Sequence, residues 1–275
     1  MKKPRSNSAK LLRGFFQAEK KDLSAISRMR YNGFICKKNE GRCRIGRKNR
    51  MYQACKQHAV TALGELLIDF TAGTTDDLGY PAMQAHPGGA PANFLAALAK
   101  HGVRTSMLGK VGGDAFGRLL IDTLRKAGID TDGILADDTV FTTLAFVTLN
   151  ADGDRNFSFA RKPGADTCLQ SEELRLSLID SCDIFHFGTL SLTDEPAASA
   201  TRMAVRYAKQ AGKLISFDPN LRMPLWNSAE KARQAMEWGL CHADMVKLSD
   251  DEADFLWQLP PEPAACRPAV QTATR

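Results

Sequence analysis

Glu65 and Asp69, then Gly88, Gly89 and Asn93, then Lys110, Gly112, Gly113 and Asp114, follow one another at the borders of apolar runs. Gly188 comes next, then Asp218, Asn220 and Arg222, and last Lys247, Ser249 and Glu252. Carboxylates and amides form paired hydrogen bonds with vicinal hydroxyls, and an arginine fork suits a phosphate or a carboxylate. Glycine bares the backbone so that a ligand can approach it. The stretch HPGGAPANFLAALAKHG, residues 86–102, has the form of a helix start built to face something. Two glycines precede Pro91, which fits a first helical turn, and Gly102 stops the alanine-rich run.

Such residues need a scaffold that gathers them, and the pattern from residue 59 onward supplies one. AVTALGELLIDF reads as a buried strand. Helix 91–101, strand 105–111 (TSMLGKV) and helix 114–128 (DAFGRLLIDTLRKAG) follow, the last with Asp114 as N-cap and Gly128 as stop. Two β-rich runs, 142–150 and 156–161, are joined through ADGD, a hairpin signal, and read as an antiparallel flap. Alternation resumes with strand 183–188, the helix EPAASATRMAVRYAKQAG, strand 213–218, the helix SAEKARQAMEWGL and strand 245–248. Repeated β-α-β units imply a parallel sheet between helices, whose ligand sits beyond the carboxyl ends of the strands. The polar residues named above cluster at those ends.

Each also has a plainer reading. Asp114 and Ser249 make good helix caps, and Asp218-Pro219-Asn220 makes a good turn. A dinucleotide site would need G-x-G-x-x-G directly after the first strand, and GELLIDFTAG stands there instead.

The charge is divided unevenly. Residues 1–57 hold 17 Lys and Arg against three acids, whereas residues 58–275 hold 20 against 28. The basic leader has no uninterrupted apolar core, and no run of 18 apolar residues occurs, which argues against secretion and membrane insertion and for a cytoplasmic protein. An arginine-rich leader fits a mitochondrial presequence or a nucleic-acid arm, and fits a disordered or non-native extension better; Met51 would then serve as the start. Seven cysteines form no CxxC pair, and Cys55 with His58 lacks the second half of a zinc site, so reduced thiols are expected.

Seven segments in register, GELLIDF, PGGAPANFLAALAKHG, LGKVGGDAFG, LAFVTLNADGDRNFSFARKPGAD, IFHFGTLSL, SFDPNLRMPLW and VKLSDDEADFL, strongly resemble the ribokinase/PfkB carbohydrate kinases, fructokinases above all, over residues 59–257. The resemblance implies an α/β fold, a ribokinase-like three-layer α/β/α sandwich with a small β-sheet lid from about 70–88 and 138–163. It implies ATP-dependent phosphorylation of a sugar hydroxyl, fructose first, with ATP and Mg²⁺ as cofactors, K⁺ as a further cation, and a homodimer through the lid. Carried over by motif, Asp69 and Asn93 would bind sugar hydroxyls, with Gly88 and Gly89 as hinge and backbone contact. Phe159 and Arg161 would lie above the sugar, with Asp218, Asn220 and Arg222 facing it. Lys247, Ser249 and Glu252 would serve ATP, Mg²⁺ and phosphate, Glu252 through water.

The sequence departs from the family after residue 257. The family's G-A-G-D motif, whose Asp is the catalytic base, occurs nowhere, and residues 258–275 form a proline-rich tail without apolar periodicity. The chain therefore reads as a C-terminally truncated or frame-shifted kinase: a basic extension over 1–57, a partial kinase domain over 58–257 with no catalytic base and no direct metal ligand, and an unrelated tail. It is expected to be inactive as it stands. The alternatives are a non-catalytic sugar-binding or regulatory fragment, a 2-keto-3-deoxygluconate or ribose kinase relative, and a nucleic-acid binder through the basic arm.

Overall fold

In a computed structural model the described residues are 59–149 and 155–257, all within one compact unit, Lys56–Arg275. The expectations for the basic leader, Met51, Cys36, Cys43, Cys55, His58, the ADGD turn, Cys266 and the proline-rich tail lie outside them.

The chain enters on strand β1 (Ala59–Leu63), where four of five side chains are buried. Residues 64–66 then carry it out of one sheet and into another, where strand β2 (Leu67–Thr75) pairs antiparallel with β3 (Pro81–Gly88). AVTALGELLIDF, expected as one strand, is thus two strands in two sheets. β1 and the start of β2 are both apolar and buried, so no change of period marks the crossing.

Helix α1 (Ala90–Lys100) follows, with Pro91 in its first turn. Strand β4 (Arg104–Gly112) leads into α2 (Ala115–Lys126), whose N-cap Asp114 accepts hydrogen bonds from the amides of Phe116 and Gly117, both at 2.8 Å. Strand β5 (Asp130–Asp137) escaped the sequence reading, because DTDGILAD carries three aspartates and a glycine. Burial of Thr131 and Gly133 and pairing with β4 make it a strand all the same. Strands β6 (Thr143–Leu149) and β7 (Arg155–Ala160) are antiparallel, as the flap reading required.

The remaining elements alternate: helix α3 (Leu176–Asp180), strand β8 (Ile184–Phe187), helix α4 (Ala197–Gln210), strand β9 (Leu214–Phe217), helix α5 (Ala229–His242), strand β10 (Met245–Val246) and helix α6 (Asp250–Trp257). The main sheet runs β10-β9-β8-β1-β4-β5 and its pairings are all parallel. Helix α4 buries Ala200, Thr201, Ala204, Val205 and Ala208, a stripe at helical spacing, in one core with Phe185, Phe187, Ile215 and Phe217. Trp238 of α5 meets the Phe187 ring edge-on at 5.7 Å. Fully burying a phenylalanine contributes about 1.5–3 kcal/mol, so Phe187 and Phe217 anchor this layer. On the opposite face Phe94 of α1 lies 4.1 Å from the His186 ring. Helices on both faces complete a three-layer sandwich. At the β9–β10 end of the sheet Leu214 and Met245 stay exposed.

The second sheet runs β3-β2-β6-β7. On one face Phe70 stacks on Phe146 at 5.3 Å and meets Phe116 of α2 edge-on, which fixes that face to the main body. The other face carries the residues described next.

Candidate functional site

Register alone aligns a row of side chains across the second sheet. His86 pairs with Asp69, Asp69 with Ala145, and Ala145 with Phe159, so the four residues share one face. The neighbouring row ends in Phe157, whose ring lies parallel to that of Phe159 at 6.3 Å. Asp69 is the one carboxylate in its row and is partly buried. Burial pushes its pKa up, and the positive charges of Arg222 and His86 pull the other way.

Two glycines complete this wall. A Cβ on Gly88 would stand 2.3 Å from Asp69 Oδ2, so the carboxylate lies directly over a bare backbone. Gly89 adopts φ 120°, which L side chains rarely accept, and a Cβ there would stand 2.4 Å from the Glu65 carbonyl oxygen. The turn between β3 and α1 can therefore pass close beneath Asp69. Asn93, one turn into α1, is exposed, and its backbone N–H donates to Gly89 O at 3.0 Å.

The loop after β9 meets this wall from the main body. Asn220 sits in the left-handed region at φ 47°, a conformation asparagine tolerates. Thr189 fixes the loop by donating its backbone N–H, at 3.0 Å, and its hydroxyl, at 2.6 Å, to Pro219 O. Arg222 then lies over the Phe157 ring at 5.7 Å, a cation–π contact joining main body and second sheet. Phe157 was missed from the sequence although the alternation in NFSFAR places it on the same face as Phe159.

Arg161, expected above the sugar, is committed elsewhere. It is buried, donating from Nε and Nη2 to Asp166 Oδ2 at 2.9 and 2.7 Å, from Nη1 to Thr193 Oγ1 and from Nη2 to Leu190 O. A buried guanidinium needs a carboxylate, and Asp166 supplies it five residues on. A cavity of about 660 Å³ beside it is lined by Phe116, Thr142, Leu144 and Phe159, but not by Asp69, Asn93 or Arg222. It shares Phe159 with the wall described above but none of that wall's polar groups.

The nucleotide-side candidates also find partners. Lys247 Nζ donates to Asp218 Oδ2 at 2.9 Å, while Asp218 Oδ1 is buried without a hydrogen-bond partner. Ser249 and Glu252 form a capping box at the start of α6: Ser249 N donates to Glu252 Oε2 at 2.8 Å and Glu252 N to Ser249 Oγ at 3.3 Å. The other oxygen, Glu252 Oε1, accepts from Leu221 N at 2.8 Å and ties the β9 loop to α6. Glu252, expected to serve Mg²⁺ and phosphate through water, thus has one backbone amide on each carboxylate oxygen. Among the described residues no three His, Cys, Asp or Glu side chains gather as a metal site would. As placed, these residues form no direct ligand set for Mg²⁺. Glu252→Ala should then lower stability by about 1–3 kcal/mol through the two amides it orphans, those of Ser249 and Leu221, read as a fall in the urea midpoint.

Asp114 shows the same economy. Burial works to raise its pKa, but hydrogen bonds from Thr142, Gly117 and Phe116 outweigh it and hold the carboxyl below its ordinary value. It caps α2 and clamps the entry to β6. His186, buried on β8, is pushed down to about 4 by burial and then by Lys247, so it is neutral at physiological pH beside Ser216.

A parallel sandwich whose β1 exit leads into a second sheet bearing an acid and paired aromatics, and whose β9 exit brings an arginine onto those aromatics, defines a ribokinase-like α/β protein. The family model described as "pfkB family carbohydrate kinase" matches residues 57–274, and the chain belongs to that family. It is 46% identical over 201 residues to a probable fructokinase-7 of Arabidopsis thaliana, covering 72% of this chain and 58% of that protein. Fructokinase-2 of Solanum habrochaites is 45% identical, with 72% and 61% covered. The fructokinase crystal structure from Xylella fastidiosa superposes with a TM-score of 0.68 at 39% identity, covering 74% of this chain and 62% of that one. The Vibrio cholerae O395 fructokinase in its fructose-, ADP- and calcium-bound form gives 0.65 at 30% identity, with 74% and 64% covered. The chain therefore spans about three fifths of the length of these relatives.

Proposed function

We propose that this chain carries the sugar-binding half of a fructokinase-type site, where a sugar, fructose first, is held for phosphorylation by ATP. The observation that carries the reading is Asp69, desolvated on the second sheet, lying over Gly88 with Arg222 as its nearby cation. A partly buried carboxylate without a hydroxyl partner of its own is suited to take two vicinal hydroxyls of a ligand. Gly88 and Gly89 bring backbone within reach of the ring, Asn93 offers an exposed amide at the mouth, and Phe159 supplies an apolar wall.

In this reading the second sheet acts as a lid, and Arg222 on Phe157 is a contact between the main body and its sugar-facing side. Closure keeps water from the transferring phosphoryl group. Asp218 and Asn220 position Arg222 from the β9 loop. ATP would supply the phosphoryl group, and the fructose-, ADP- and cation-bound neighbour makes fructose and a nucleotide the first ligands to try.

Calorimetry of the purified chain with fructose tests the proposal. Asp69→Asn keeps the volume and loses the charge, and is expected to weaken fructose binding about 10- to 150-fold, the cost of a charge-assisted hydrogen bond. Equal affinities for wild type and Asp69→Asn would remove Asp69 from the site.

A further inference from the structure

The crossing between the two sheets holds a carboxyl group that the sugar-binding reading does not use. Glu65 is 2% exposed, in the three-residue passage from β1 to β2. Its Oε1 accepts the Ala90 N–H at 2.9 Å, the first amide of α1. Its backbone carbonyl presses on Gly89, at the distance that bars any side chain there. One residue thus meets both Gly89 and Ala90, where the Gly88–Gly89 turn enters α1.

We propose that Glu65 is a positioning residue: its carboxyl group ties the passage into the second sheet to the first amide of α1, and thereby sets how the Gly88–Gly89 turn and Asp69 meet a sugar. The inference rests on the sugar-binding reading for its functional half only. The tie itself is a property of the unliganded chain.

The tie is sensitive to pH. Burial pushes the Glu65 carboxyl up from its ordinary 4.5 to about 7, against hydrogen bonding from Ala90 and its own backbone. The charged groups that act on it are the Arg161 guanidinium at the end of β7, which favours the ionised form, and the Asp166 carboxylate, which opposes it. From α1 comes the uncharged N–H of Ala90. The ionisable side chains of the β2–β3 row, Asp69 and His86, act on one another and, for Asp69, with Arg222.

The sign follows from linkage. The closed state binds the Glu65 proton more tightly than any state that opens the carboxyl to water. Its advantage is complete below pH 4.5 and is lost as pH rises through about 7. Above neutrality the hinge loosens. Glu65→Gln keeps an oxygen to accept the Ala90 N–H and removes the titration.

Amide hydrogen exchange without any sugar reads the tie. The exchange rate of residues 88–95 in wild type, divided by that of Glu65→Gln at the same pH, cancels the intrinsic pH dependence of exchange. The ratio is expected to rise about 10- to 100-fold between pH 5 and pH 8. A flat ratio overturns the proposal. Should Glu65→Gln fail to fold, wild-type exchange of residues 88–95 relative to the buried amides of α4 at the two pH values gives the same answer.

Fructose titrations then read the functional half. Wild-type affinity should fall from pH 6 to pH 8 relative to Glu65→Gln, with Asp69 common to both and so cancelling. An exchange ratio that responds while relative fructose affinity does not would reduce Glu65 to a hinge unconnected with the sugar and overturn the positioning role. Absence of fructose binding in both proteins at every pH would instead sink the sugar-binding reading and, with it, that role, leaving exchange to decide the tie alone.

Discussion

Replacing Asp166 by alanine is expected to destabilise the fold by about 3–5 kcal/mol, because it leaves a buried guanidinium with only the half-exposed Asp194, at 3.8 Å, as its ion-pair partner. The side chains of Arg161 and Asp166 are 3% and 2% exposed. Asp166 Oδ2 takes two donors of the fork, and its Oδ1 accepts the Thr143 hydroxyl at the start of β6. Arg161 reaches on to Leu190 and Thr193 after β8. The pair therefore fastens both strands that lead into and out of the second sheet to the main body. Removing both charges with Arg161→Met and Asp166→Ala together should recover part of the loss, since the larger part of the single-variant cost is the uncompensated ion rather than the pair. Urea midpoints at unchanged slope measure this. A single variant that loses less than about 1 kcal/mol, or a double variant worse than the sum, would show that Arg161 reaches solvent or a ligand, as its motif position had suggested.

Gly89→Ala should be nearly as damaging, at about 2–4 kcal/mol, and should also abolish measurable fructose binding. Two costs combine there. The backbone at φ 120° and ψ 119° is outside the range of L side chains, and the new methyl group would meet the Glu65 carbonyl oxygen at 2.4 Å. Gly79 separates them, for it has φ 84° in the β2–β3 hairpin with nothing within 4 Å of a Cβ. Gly79→Ala should cost about 1 kcal/mol and leave fructose binding intact. Thermal unfolding and calorimetry of the two variants side by side check the difference. Equal behaviour would mean that the turn beneath Asp69 moves freely to accommodate the methyl group, and that neither the close approach nor the Glu65 contact constrains it.

Much of this molecule follows from local chemistry, and local chemistry is legible in order along the chain. Asp114 and Ser249 were readable as caps because a side chain that bonds an amide two or three residues on needs nothing distant. The alternation of strand and helix was readable because burial of one face imposes a period, and a parallel sandwich follows from that alternation. Even the row of Phe157 and Phe159 lay in the period of two within NFSFAR. Seven motifs in register then carried the family, which no single glycine pair could have done.

The structure decided what depends on partners far away in sequence. Residues 59–70 are mostly apolar, and the pairing of Leu67–Thr71 with β3 and β6 rather than with the main sheet splits them into two strands. Strand β5 is polar by composition and is a strand because β4 offers it an edge. Arg161 looks in the sequence like a ligand-facing cation, but a buried guanidinium goes to the first carboxylate that can follow it into the core, and the fold places Asp166 there. Glu252 was read as an electrostatic group and is spent on two backbone amides, one of them 31 residues away on Leu221. Glu65 stands out in the sequence only as a polar residue at the end of an apolar run. Burial at the crossing of two sheets gives it a pKa near neutrality. Periodicity and capping are written in near neighbours, whereas desolvation and charge pairing are properties of the assembled interior, and only the tertiary structure sets them.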